Sequence, residues 1–144
     1  MKRLKLTILI IIFLSGFSFA QNGDDIIGKY RLPNKLDIEI YKSNNKYFGK
    51  IIALNTYKNG QKKDIKNPDL SKRDNPLIGM VIIRNLNYDK EENEWINGSI
   101  YGPDKGINLE LKVTEIRKNE IEVVASKLFF WKTLVWTKLT ANLG

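Results

Sequence analysis

The sequence predicts an all-β protein: about eight short antiparallel strands closed into one up-and-down barrel, with one short helix in a long loop at 55–78. Three observations carry this prediction. Apolar and polar residues alternate in short segments, as in a strand with one buried face. Most of these segments are joined by short polar turns. No stretch carries a sustained helical stripe. Successive hairpins favour a meander, and closing the sheet removes its exposed edges.

The elements follow in order. "MKRLKLTILIIIFLSGFSFA", residues 1–20, has a basic start (Lys2, Arg3, Lys5), a short apolar run and a small-residue end. That pattern is a secretory signal peptide, cleaved on export to the periplasm or the extracellular space. The run is shorter than the about 20 apolar residues of a membrane-spanning helix. Residues 21–144 then form a single β-barrel domain. "IGKYRL" at 27–32 is the first strand. "LDIEI" at 36–40 turns Leu36, Ile38 and Ile40 inward, and "KYFGKIIAL" answers it across Asn44-Asn45. Asn tolerates a positive φ, so that pair suits a two-residue hairpin turn. "VIIRNL" at 81–86 is apolar enough for a deeply buried strand. "EWINGSIY" at 94–101 follows, with Gly98 as a kink. "LELKV" at 109–113 alternates strictly and joins "IEVVAS" through "RKNE" at 117–120. "FWKTLVWTKL" at 130–139 is β-branched and aromatic, and makes the last strand.

The loop from Asn55 to Ile78 hides an element, because structureless loops of that length are uncommon in compact domains. Asn67 is a good helix cap and Pro68 suits a first helical position. Asp69 lies near the positive end of the dipole and pairs with Arg73 four residues on. Pro76 pushes Asn75 out of helical space and ends the run. A helix over 68–74 is therefore expected, acting as a lid or plug.

Composition excludes several chemistries. The chain has no His and no Cys. That removes Ser–His and Cys–His pairs, disulfides and the usual zinc and copper ligands. Ser43, Ser71, Ser99 and Ser126 lack a nucleophile-elbow context. Asp64 and Asp69 are the best carboxylate pair, yet Asp in turns normally binds nearby backbone N–H groups. Glu91, Glu92 and Glu94 read as a solvated hairpin tip. Asn67, Asp69 and Asp74 offer oxygens for calcium, but Lys66, Lys72 and Arg73 oppose the ion. No catalytic residue, metal or cofactor is expected. The formal charge of +8 includes Lys2, Arg3 and Lys5, which leaves +5 for the mature side chains. Those cations are scattered and form no nucleic-acid footprint.

Aromatic residues gather late in the chain: Trp95, Phe129, Phe130, Trp131 and Trp136. Alternation puts Phe130, Leu134 and Trp136 on one strand face and Phe129, Trp131 and Val135 on the other. Both faces cannot be core. One is an exposed apolar patch, which suggests a membrane surface or an envelope partner.

"DIKNPD" at 64–69, Arg73, "PLIG" at 76–79, the pattern Trp95-x-Asn97-Gly98-Ser99-Ile100-Tyr101-x-Pro103-x-x-Gly106 and "WTK" at 136–138 together resemble a bacterial exported family, domain of unknown function 2147. The resemblance runs from Ile27 to Leu139. It implies a lipocalin-like (calycin-like) β-barrel and export, without an established activity. It also implies a barrel closure in which Lys138 of the last strand covers the ring of Tyr30 from the first. Two functions follow as expectations. The first is a non-enzymatic exported barrel holding a small hydrophobic or amphipathic ligand in an internal cavity, with Asn67, Asp69, Arg73, Trp95, Tyr101, Phe130 and Trp136 lining or covering it. The second is an envelope structural or interaction module with a filled barrel and no ligand.

Overall fold

The computed structural model describes residues 21–140; the expected signal peptide lies outside the described residues. Eight strands form a closed antiparallel barrel in chain order: β1 (Gly28–Arg31), β2 (Asp37–Ser43), β3 (Lys46–Ala53), β4 (Val81–Asp89), β5 (Glu94–Gly102), β6 (Ile107–Ile116), β7 (Glu120–Lys127) and β8 (Phe130–Lys138). Leu111 and Val113 pair with Ala125 and Val123 and are buried, as their alternation requires. Asn44 and Asn45 make the β2–β3 turn at φ 49° and 62°, the left-handed region that Asn tolerates. β1 closes on β8 through the pairs Tyr30–Lys138 and Arg31–Thr137.

The β1–β2 turn is clamped by charge. Arg31 donates to both carboxylate oxygens of Asp37, at 2.8 and 2.9 Å. Burial pushes the Asp37 carboxyl up, but hydrogen bonds from Arg31 and Asn55 and the Arg31 charge outweigh it and hold its pKa below the ordinary value. A depressed pKa means stability that is present at neutral pH and lost as pH falls through the folded value. Asp37→Asn is expected to cost roughly 1.5–3 kcal/mol at neutral pH. Denaturant titrations should show that gap narrowing below the ordinary value of 3.8, as the wild-type carboxylate is itself protonated.

One barrel end is sealed by a 3-10 turn at Gly23–Ile26. The Asn22 side chain accepts from the Asp24 N–H at 3.0 Å, and Asp25 accepts from the Asn22 N–H at 2.8 Å. Aromatic tips from four strands fasten this turn. Trp95 Nε1 donates to the Gly23 carbonyl at 2.9 Å, the Tyr30 hydroxyl to Ile26 O at 2.7 Å and the Tyr47 hydroxyl to Asp24 at 2.6 Å. Tyr88 reaches Gln21 O at 2.8 Å. At the opposite end lie the β1–β2 turn, the long 54–80 connection, the β5–β6 turn and the tip of the β7–β8 hairpin. Leu36, Tyr57 and Leu77 are buried beneath that connection.

Between these ends the barrel is solid. Ile38, Ile40, Ile51, Ile83, Val113 and Val123 have essentially no accessible surface, so no water-sized space adjoins them. Gly98 shows how tightly the walls meet, since a methyl there would stand 2.5 Å from the Leu86 side chain. Small-barrel interiors either fill with side chains or hold one ligand. Here they fill.

Candidate functional site

The motif residues of the long connection assemble on the rim, beside β4–β6. Asp64 is fully buried. Its carboxylate accepts from the Tyr101 hydroxyl at 2.8 Å and from Asn67 Nδ2 at 2.7 Å. Its N–H donates to Asn75 O at 3.0 Å, tying both ends of the loop together. Burial, followed by the hydrogen bond to Asp64 and its charge, pushes the Tyr101 phenol well above its ordinary pKa. Tyr57 is buried with its hydroxyl unpartnered among the described residues, and burial reinforced by Asp104 and Asp64 pushes it up as well.

The helix expected over 68–74 is a shorter element, a 3-10 turn at Leu70–Lys72 capped by Asp69 and not by Asn67. The reason is that Asn67 is committed elsewhere. Its Nδ2 goes to Asp64, and its Oδ1 accepts from the Asp69 N–H at 2.9 Å, an Asx turn that leaves Asp69 extended. Asp69 then accepts from the Ser71 N–H at 3.0 Å and the Ser71 hydroxyl at 2.6 Å. These bonds, with Lys72 nearby, hold its carboxyl below the usual range. The expected Asp69–Arg73 pair is replaced: Arg73 Nε donates to Asn67 O at 2.8 Å, and Lys72 stands 3.9 Å from Asp69. Asp69, Ser71, Lys72 and Arg73 are exposed. Asp69→Ala is therefore expected to lower the thermal unfolding midpoint only slightly, because it removes a surface cap and no core contact.

Together Asp64, Asn67, Asp69, Lys72, Arg84 and Tyr101 line an open cleft of about 460 Å³. Arg84 makes no ion pair among the described residues. A second open cleft of about 400 Å³ lies on the β5–β7 wall beside the Asn97 bulge.

The other expected ligand residues separate from this cleft. Trp95 is core, its ring tilted 41° against that of Tyr88 at 4.8 Å between centroids. Trp136 is core too, with its Nε1 unpartnered among the described residues. Neither lines a cavity, so the expected interior site is corrected to a filled one. Phe130 is 68 % exposed, because the β7–β8 hairpin runs past the rim and its inward-facing residues meet solvent. Tyr30 and Lys138 are neighbours at the closing seam, as expected. The cation–ring contact is not what joins them. Tyr30 bonds Ile26, while the cations over rings among the described residues are Lys42 on Tyr47 and Lys50 on Tyr41.

The sequence reading missed the Gly23–Ile26 plug. Its signal was the spacing of Asn22 and Asp25, a capping-box pattern that reads clearly only beside an apolar run.

Residues 28–138 match the family described as an uncharacterized protein conserved in bacteria, DUF2147. The chain belongs to this family. Among solved structures it is similar to protein HP1028 from Helicobacter pylori, which is described as belonging to the lipocalin family. That likeness has 20 % identity, a TM-score of 0.71 and coverage of 81 % of this chain and 84 % of that one. No curated protein matches. The family's fold, as this member shows it, is a lipocalin-like eight-stranded barrel with a sealed base. In this chain Asp64, just before the "NPD…R…PL.G" segment, fastens the long connection to Tyr101, and Asn67 of that segment braces Asp64, so residues 64–68 act as a strap.

Proposed function

We propose that this protein is an exported, non-enzymatic interaction protein of the bacterial envelope that works through its outer surface and not through its barrel interior. The filled core carries this reading: a ligand of hundreds of Å³ has no room among side chains that already exclude water. The carboxylates also support it. The Asp64 oxygens are taken up by Tyr101 and Asn67, and Asp69 by Ser71, so neither is poised as an acid or a base. Native mass spectrometry of the purified protein tests the reading, with the bare polypeptide mass as the expected species. A one-to-one small-molecule adduct that survives desalting would sink it.

A second reading rests on the rim cleft. Arg84, which makes no ion pair among the described residues, suits the anionic head of a small amphipathic ligand. Titration with dodecyl phosphate is the probe. Binding weakened about tenfold by Arg84→Ala, the worth of one charge-assisted contact, would support this reading; absence of binding excludes it.

A further inference from the structure

The strongest feature outside the cleft is the tip of the β7–β8 hairpin. Leu128 is 91 % exposed, Phe129 96 %, Phe130 68 % and Trp131 70 %. Four consecutive large apolar side chains thus stand in water on both faces of one two-stranded projection. A monomer gains nothing from this arrangement, since contiguous apolar patches mark contact surfaces. Lys127 and Lys132 flank the tip and are exposed.

The backbone adds an independent observation. Leu128 sits at φ 53°. A bulky residue there is an outlier, at a cost of about 1–2 kcal/mol. The β2–β3 turn of the same barrel uses Asn at both of its positive-φ positions. At the β7–β8 tip the chain accepts strain and keeps an apolar side chain.

We propose that the hairpin tip docks the protein on an anionic lipid surface, with Leu128, Phe129, Phe130 and Trp131 entering the headgroup–acyl boundary and Lys127 and Lys132 resting on the headgroups. This rests on the outer-surface reading above and names its partner. Three features select lipid over a protein groove. The projection is convex, and an interface of mobile lipids accepts a wedge without a preformed pocket. Trp favours the membrane–water boundary, and Trp, Phe and Leu make up the apolar face of interfacial anchors. The cations sit at the base of the apolar tip, where anionic headgroups would meet them. Pairing of Lys127 with Phe130 satisfies the backbone only up to the two-residue turn, so insertion stays shallow and anchors without spanning.

Tryptophan fluorescence gives a selective test. Trp95 and Trp136 are buried, and only Trp131 is exposed, so a blue shift on adding vesicles reports the tip. The full chain is titrated with vesicles of phosphatidylcholine containing phosphatidylglycerol, with pure phosphatidylcholine as control. The expected result is a blue shift and co-sedimentation that weaken with salt. Phe129→Ser with Phe130→Ser should reduce partitioning about tenfold or more. Lys127→Glu with Lys132→Glu should reduce it only on the anionic vesicles. Both pairs are exposed, and unchanged thermal unfolding confirms that the variants fold. Failure to bind anionic vesicles at low salt overturns the docking proposal, as does binding indifferent to the Phe pair. A blue shift without vesicles that grows with protein concentration also overturns it, in favour of a second copy covering the tip. Failure of the broader reading looks different: lipid carried off one-to-one by the soluble protein, seen by native mass spectrometry of the supernatant, would show that the barrel takes a ligand.

Discussion

Trp95→Ala is expected to destabilise the protein by about 3–5 kcal/mol, the cost of truncating a large buried aromatic. Two losses combine. The indole leaves a void in the floor of the barrel, and the Gly23 carbonyl loses its donor. Trp95→Phe separates them. It keeps most of the ring packing against Tyr88 and removes the hydrogen bond, so about 1 kcal/mol is expected. Urea denaturation gives both values. Hydrogen exchange in the Gly23–Ile26 turn should quicken in both variants, because Trp95 is one of the tethers of that turn. An alanine variant that lost less than about 1.5 kcal/mol would mean that the floor collapses around the gap and that Trp95 is no anchor.

Gly106→Ala has the second-largest expected effect. Gly106 lies at φ 66°, and a methyl there falls on the Lys66 carbonyl, with Pro68 close behind. Backbone cannot swing aside as a side-chain end can. Either the β5–β6 turn or the strap at 64–68 must shift, at about 1–3 kcal/mol for the clash in addition to the left-handed strain of about 1 kcal/mol. The strap is the softer partner, so the Tyr101–Asp64 bond should break. Faster proteolysis within 64–72 would report its release. Gly60→Ala is the control, since its φ is 96° with nothing within 4 Å of the added methyl. It bears the strain without the clash. Equal losses in the two variants would rule out the strap contact.

Much of the fold was legible because strands advertise themselves locally. Leu109, Leu111 and Val113 alternate with Glu110 and Lys112, and Asn44-Asn45 marks its own turn. The seam between Tyr30 and Lys138 was legible through family resemblance, though the contact that fastens Tyr30 was not. What stayed hidden depends on distant partners. Asn67-Pro68 looks like a helix start until Asp64 claims the Asn67 side chain. Phe130 has the right parity for the interior, but parity does not say where a strand clears the rim. Whether the barrel is hollow turns on volumes meeting across it, such as Gly98 against Leu86, and no periodicity encodes that. The Tyr101–Asp64 contact spans 37 residues of sequence and left no local trace.

The seam between β1 and β8 also bears on kinetics. Its two registered pairs join residues about 108 positions apart, while every other neighbouring pair of strands is also neighbouring in the chain. Apart from β3–β4, the sequential pairs zip with short loops, whereas this junction must bring the two ends of the domain together, and loop-closure entropy grows with that separation. Ring closure is therefore the expected late step of folding, and the same short seam is the first place to open. An opened seam bares two strand edges at once, so the lifetime of the closed ring, more than the depth of the core, sets how long this cysteine-free protein stays folded.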